Sequence, residues 1–389
     1  MQNPRTPKKI LSVFGTRPEA IKMAPVIKQL EKYPDLFTSI VCVTAQHRQM
    51  LDQVLSVFRI VPDYDLDIMK PGQDLFTLTC AVLQGLKSVI EKTGPDLVLV
   101  HGDTTTTMAA TLAAFYCRTK VGHVEAGLRT HNKLAPYPEE MNRKITGAVA
   151  DYHFAPTSSA RDNLLVEGIA PQTIFVTGNT VVDALLSVVS SIAGDKILQD
   201  RFGSQFSFLD DSKKLILVTG HRRENFGRGF ENICRALATV AARHPDVQIL
   251  YPVHLNPNVQ GCVRQILGNS ACPNIFLIDP VEYLPFVYLM NRSYLIVTDS
   301  GGIQEEAPSL GKPVLVLRNA TERPEGVGAG IIRVVGTEME GICSAASQLV
   351  RDAESYRAMV SCRNPYGDGK ASERIVEILL GILSAPSPV

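Results

Sequence analysis

Neither sign of charge is in excess. The 39 Lys and Arg residues balance 39 Asp and Glu, so no global field draws the chain to nucleic acid or an anionic membrane. A negatively charged partner must be met by a local basic cluster. No apolar run approaches the roughly 18–20 residues that cross a bilayer. The polar opening Met1–Lys9 has no apolar h-region. A cytoplasmic protein without nucleic-acid or membrane partners is expected. The eight cysteines (Cys42, Cys80, Cys117, Cys234, Cys262, Cys272, Cys343 and Cys362) show no C-x-x-C spacing. The eight histidines show no H-E-x-x-H pairing. Reduced structural thiols are therefore expected, without a disulfide framework or a metal site. Neither G-x-G-x-x-G nor a Walker loop occurs, so neither a nicotinamide cofactor nor ATP is indicated, and no cofactor is expected.

What is present is a chain of 389 residues, 45% hydrophobic and 20% charged, long enough for two or three packed domains. Short apolar runs alternate with amphipathic stretches, the pattern of parallel sheets wrapped by helices. The runs Ile10–Phe14, Ser39–Thr44, Asp96–His101, Lys120–Glu125, His153–Pro156 and Thr173–Thr177 predict one set of strands. A second set is predicted at Lys214–Thr219, Val247–Tyr251, Ile275–Ile278, Tyr294–Thr298 and Val314–Leu317. Helices are predicted over Ala20–Lys32, Thr104–Tyr116, Glu140–Val149, Phe230–Arg243, Tyr283–Asn291 and Ala371–Leu383, whereas Asp195–Asp211 reads as a loop or weak helix. The fold class is α/β, with two Rossmann-like, doubly wound domains around a central cleft. The first spans 1–178, with a C-terminal helix over about 367–389 packing back on it, and the second spans 179–366. Doubly wound domains take ligands at the carboxyl ends of their strands.

The polar residues concentrate at those ends. After the first strand comes Gly15-Thr16-Arg17-Pro18-Glu19, with Lys22 a turn later. A glycine turn, a helix start and two cations make an anion site, or simply a solvated helix start. Asp96–His101 leads to Gly102-Asp103-Thr104, where Asp103 or Thr104 also suits an N-cap. The next strand ends on Glu125. Strand ends one β-α-β unit apart share a sheet edge, so Asp103 and Glu125 are expected together. Pro138-Glu139-Glu140 opens another helix, where acids are often dipole partners. Carboxylates gathered at one cleft raise one another's pKa values and make acid/base pairs. In the second half, Lys214–Thr219 ends in Gly220-His221-Arg222-Arg223. A later strand ends in Asp299-Ser300-Gly301-Gly302, whose glycines let backbone N–H groups approach a phosphate, or form a tight turn. Glu306 is suited to ribose hydroxyls, and Arg323 adds a cation. His254 reads as a structural histidine.

Taken in order, Phe14-Gly-Thr-Arg-Pro-Glu-Ala-Ile-Lys22, His101-Gly-Asp-Thr-Thr-Thr106, His123-Val-Glu-Ala-Gly-Leu-Arg-Thr130, Pro138-Glu-Glu-Met-Asn-Arg143, Gly220-His-Arg-Arg-Glu-Asn225, Asp299-Ser-Gly-Gly-Ile-Gln-Glu-Glu306 and Thr321-Glu-Arg-Pro-Glu325 resemble the non-hydrolysing UDP-N-acetylglucosamine 2-epimerases over about residues 10–380. The resemblance implies a glycosyltransferase-B-type fold, a homodimer, and interconversion of UDP-GlcNAc and UDP-ManNAc for surface polysaccharides. It implies elimination of UDP to 2-acetamidoglucal and re-addition, with Asp103, Glu125 and Glu139 as acid/base candidates and His221 at the leaving phosphate. Arg17, Lys22, Ser300, Gly301, Gly302, Glu306 and Arg323 would bind UDP, with Phe286 near the uracil. Gln46, Gln49 and His254 match positions lining a second, activating UDP-GlcNAc site of bacterial members. In the following loop, where bacterial members often carry a basic residue, the chain reads Met69-Lys-Pro-Gly-Gln73. The alternatives are a 2-epimerase of UDP-2,3-diacetamido-2,3-dideoxy-glucuronate and a glycosyltransferase of the same fold. The latter needs no base at C2, and a non-enzymatic nucleotide-binding protein would leave the three carboxylates without a role.

Overall fold

The computed structural model describes residues 6–45, 48–69, 72–268 and 272–384. The chain divides into two compact units, one running to Ala184 and resuming at Tyr366, the other spanning Leu185–Pro365. The first unit is built on strands β1 (Lys8–Phe14), β2 (Phe37–Val43), β3 (Tyr64–Asp65), β4 (Leu97–His101), β5 (Lys120–Val124), β6 (Tyr152–Ala155) and β7 (Ile174–Val176). They form one sheet in the order β3-β2-β1-β4-β5-β6-β7, with every pair parallel. The inner strands are apolar on both faces: Leu97–His101 is buried throughout, as a sheet covered by helices on both sides requires. The second unit carries β8 (Lys214–Thr219), β9 (Val247–Pro252), β10 (Ile275–Ile278), β11 (Leu295–Thr298), β12 (Val314–Val316) and β13 (Ile332–Val334). Their order is β10-β9-β8-β11-β12-β13, again all parallel.

In each sheet the order reverses beside the first strand, at β1/β4 and at β8/β11. Loops leaving neighbouring strands there diverge to opposite faces and open a crevice, the place where doubly wound sheets take ligands. The motifs carrying Arg17, Asp103, His221 and Ser300 leave from these strands, and Glu125 from the neighbouring β5.

The core of the first unit packs Leu11, Val13, Val98 and Val100 against Leu86, Ala110 and Ala114. That of the second packs Val218, Ile249 and Tyr251 against Phe230, Leu237, Ile342 and Leu349. The 19-residue helix Leu75–Thr93 is capped by Asp74, whose side chain accepts from Thr77 N, and ends on left-handed Gly94. It is absent from the expected elements, because Thr77, Thr79 and Gly85 dilute its buried row of Leu78, Val82, Leu86 and Val89. The segment read as a loop or weak helix forms the helix Lys196–Gln205, started by Asp195, which accepts from Leu198 N. The helix Ala371–Ser384 packs on the helix Arg17–Leu30. It is tied down by Asp183, which accepts from Ser372 N at 2.7 Å and Ser372 Oγ at 2.6 Å. All eight cysteines are free thiols. No described helix is long and apolar enough to cross a membrane.

Candidate active site

The loop after β1 is organised by Glu19. Thr16 caps the helix Arg17–Leu30 in a capping box with Glu19, satisfying the free N–H groups of the first turn. Glu19 is buried, and Oε2 accepts from Gly15 N at 3.0 Å and Thr16 N at 2.7 Å. Its other oxygen accepts from Thr104 Oγ1 at 2.6 Å and Thr107 Oγ1 at 3.1 Å. One carboxylate thus ties the loop after β1 to the loop after β4. Burial raises its pKa more than these donors lower it. Thr104, not Asp103, is the N-cap of the helix Thr105–Tyr116, which frees the Asp103 carboxylate.

Asp103 instead accepts from Arg143 Nε at 3.0 Å and Nη2 at 2.8 Å, both on Oδ2. Its carbonyl accepts from Asn142 Nδ2 at 2.9 Å. Arg143 also reaches buried Glu140, which accepts from Thr130 N and His131 N. Burial opposes ionisation of Glu140, but these donors outweigh it and lower its pKa. Of the two adjacent acids, Glu140 is therefore a structural clamp. Glu139 keeps a buried Oε2 with no hydrogen-bond partner among the described residues.

Glu125 follows β5 directly, with φ at 62°, a left-handed conformation uncommon for a residue with a side chain and one that the surrounding structure must hold in place. Its Oε2 pairs with Lys22 and accepts from Asn179 Nδ2 at 2.8 Å. Lys22, expected only as an anion-binding cation, is thus half-enclosed and paired with this acid. A β-carbon on Gly102 would lie 3.6 Å from Glu125 Oε1, which places the carboxylate beside the turn that carries Asp103. His123 Nε2 donates to Gly102 O at 2.7 Å and steadies that turn. Burial drives the His123 pKa to about 3, and the carbonyl partner sets its tautomer. Arg17 stands half-buried at the helix start.

In the second unit, His221 is oriented by buried Asp299. The Asp299 carboxylate accepts from His221 N at 2.9 Å, Arg222 N at 2.9 Å and Asn225 Nδ2 at 3.2 Å. His221 Nδ1 lies 3.4 Å from Asp299 Oδ1. Burial pulls the His221 pKa below the usual imidazole value, against the opposing pull of Asp299. Ser300 occupies the N-cap of the helix Gly301–Glu306 without a side-chain capping bond. That helix has only six residues, so what it offers an anion is bare backbone N–H groups more than a macrodipole. A β-carbon on Gly301 would meet Arg222 Nη2 at 3.7 Å and Arg323 Nη2 at 3.9 Å, so two guanidiniums converge on this glycine. Arg323 is paired with buried Glu305 and donates from Nη1 to Glu322 O. Glu306 faces back toward Gly302, with Oε1 3.7 Å from where its β-carbon would be. Phe286 is half-buried on the helix Tyr283–Arg292.

The residues matched to an activating site are placed differently. Gln46 lies outside the described residues, and Gln49 is on the helix Arg48–Val57, its side chain not among those described. His254 is exposed, accepts from Asn256 N at 3.1 Å, and stacks on His221 with ring centroids 5.5 Å apart. It is thus both a turn-former and a neighbour of the expected catalytic histidine. Sequence reasoning missed Arg143, Asn179, Asp299 and Glu305. Asp299 could have been found as a lone acid ending a buried strand, whereas Asn179 reaches Glu125 only through the fold. No group of three or more His, Cys, Asp or Glu among the described residues is arranged to hold a metal ion.

Two parallel doubly wound sheets, with acids at one set of strand ends and cations around a glycine turn at the other, define the glycosyltransferase-B-type class of α/β enzymes. A family profile described as UDP-N-acetylglucosamine 2-epimerase matches residues 28–380. The chain belongs to this family and is an isomerase. It is 60% identical to the UDP-N-acetylglucosamine 2-epimerase of Escherichia coli K12 over 371 residues, 95% of this chain and 98% of that one. The crystal structure of UDP-GlcNAc 2-epimerase from Neisseria meningitidis bound to UDP-GlcNAc superposes with a TM-score of 0.88 at 52% identity, covering 96% of this chain and all of that one (100%). A glycosyltransferase from Rickettsia africae shares the fold alone, with a TM-score of 0.63 at 15% identity and 98% and 100% coverage.

Proposed function

We propose that the protein interconverts UDP-N-acetylglucosamine and UDP-N-acetylmannosamine by elimination and re-addition of UDP. The sugar C2–H has no adjacent carbonyl, so direct deprotonation is prohibitive. In the elimination, a carboxylate takes the C2 proton, the C–H electron pair becomes the C1–C2 double bond, and the C1–O electrons leave with UDP. Re-addition of UDP to the 2-acetamidoglucal returns a proton to C2 from the opposite face. Two things are needed: acids at different positions around C2, and a clamp that keeps UDP bound through both steps.

The observation that carries this reading is the strained placement of Glu125 beside the Asp103 turn, with Lys22 and Asn179 on its carboxylate. Glu139 is the third acid. In the second unit, Ser300, Gly301, Gly302, Arg222 and Arg323 supply donors for a diphosphate, Glu306 an acceptor for the ribose hydroxyls, and His221, oriented by Asp299, a group at the leaving oxygen. Phe286 is assigned to the uracil. The names of the relatives support the acetamido sugar over the diacetamido-uronate. We further propose a homodimer that serves surface polysaccharide synthesis.

The test is a proton NMR time course with UDP-GlcNAc in D2O and no added cofactor. UDP-ManNAc carrying deuterium at C2 is expected. Asp103→Asn and Glu125→Gln should each lower turnover by about 10²–10⁴-fold while UDP still binds. Epimerisation with C2–H retained, or wild-type turnover in either variant, would overturn the mechanism.

A further inference from the structure

Glu125 has a third neighbour that the proposed chemistry leaves idle. His101, the last residue of β4, is 3% exposed. Its Nε2 lies 4.0 Å from Glu125 Oε1, on the side of the carboxylate away from the oxygen that Lys22 and Asn179 occupy. Neither ring nitrogen of His101 has a hydrogen-bond partner among the described residues. A buried imidazole without a partner is costly. The neighbouring buried groups do not share this condition: His123 has Gly102 O, and Glu19 has four donors. The gap to Oε1 closes with a carboxylate shift of about 1 Å, which brings it to ordinary hydrogen-bond length.

We propose that His101 is a positioning residue for Glu125: when Lys22 turns from Glu125 to the substrate diphosphate, the carboxylate closes on His101 and takes Nε2–H as a neutral donor in place of the ammonium. This rests on reading Glu125 as an acid/base group. The physical gain is basicity. An ammonium at contact distance favours the ionised carboxylate so strongly that it is a poor proton acceptor, whereas a neutral donor orients the carboxylate with a smaller penalty. Burial keeps the imidazole uncharged, with its pKa pushed down to about 4; the Glu125 carboxylate pulls it up and Lys22 pushes it down. His123, on the adjacent strand β5, also interacts with it and is likewise neutral at pH 7, and the buried Glu19 carboxylate shares Thr107 Oγ1 with the His101 carbonyl.

The experiment compares His101→Leu, His101→Gln and Glu125→Gln in the full-length enzyme, reading kcat, KM and the pH profile of kcat. The Gln amide reaches about as far as Nε2; Leu cannot donate. His101→Leu should lose at least about tenfold in kcat with KM nearly unchanged. Its acid limb should move to higher pH, because the ionised carboxylate has lost a donor. His101→Gln should restore most of kcat and return the limb. If His101→Leu does not fold, His101→Asn, whose amide is too short to reach Oε1, replaces it with the same expectation. Unchanged kcat and limb in the Leu or Asn variant, or equal losses in these and the Gln variant with an unmoved limb, would overturn the proposal. Wild-type activity in Glu125→Gln would instead remove the reading on which it rests.

Discussion

Two glutamates of the first unit show how placement decides the work of a side chain. Glu19 and Glu125 both follow a strand of the same sheet. Glu19 is enclosed by four donors from two loops, so it holds the loops and is unavailable for proton transfer. Glu125 pairs with Lys22, accepts from Asn179 and lies near a neutral imidazole, the setting of a carboxylate placed for proton transfer in the proposed function. The difference predicts distinct losses. Glu19→Gln keeps the shape but has one acceptor oxygen where four donors point: with that oxygen on the two backbone N–H groups, the Thr104 and Thr107 hydroxyls face an amide nitrogen and lose their acceptor. A loss of about 2–4 kcal/mol in folding stability is expected, measured by urea unfolding; an unchanged midpoint would show that the two loops are held otherwise. Glu19 was visible in the sequence as an acid in a turn motif, but nothing in the motif told a clamp from a catalyst. The same holds for Glu139 and Glu140, adjacent in sequence, which only the positions of Thr130, His131 and Arg143 separate.

At the scale of elements, the turn that presents Glu125 depends on Gly127. Its φ is +91°, and a β-carbon there would sit 2.2 Å from the carbonyl oxygen of Ala160, which belongs to the helix Ser158–Val166. Backbone cannot yield as a flexible side chain does, so Gly127→Ala should cost more than about 3 kcal/mol. Loss of soluble protein or a large drop in melting temperature checks this; a wild-type melt would mean that the turn has another conformation open to it. The eleven expected strands were legible to within about two residues because unbroken apolar runs bounded by glycine and polar residues have few other uses. The edge strands β3 and β13, two and three residues long, are too short to show such a run and were not among them. The helices Leu75–Thr93 and Lys196–Gln205 were harder. Their apolar rows are interrupted, and their starts rest on aspartate caps that serve turns equally well.

For the whole molecule, a homodimer predicts a solution mass of about twice the 42.5 kDa of the chain by light scattering. Phe115 and Tyr116, exposed side by side at the end of the helix Thr105–Tyr116, are apolar surface that an interface would cover. A monomer at micromolar concentration would remove that part of the proposal. The α/β class, the two series of parallel strands, and the glycine turns and acids at strand ends could all be read from the chain alone, because these follow from local periodicity and from what a strand end can present. The partner of each charged group comes from the folded chain: Asp103 with Arg143, Glu125 with Lys22 and Asn179, Arg323 with Glu305, and Asp299 with His221. Those pairs join residues up to 103 positions apart. Coulombic and hydrogen-bond energies depend on separation in space and on burial, and neither quantity is written in the order of the chain.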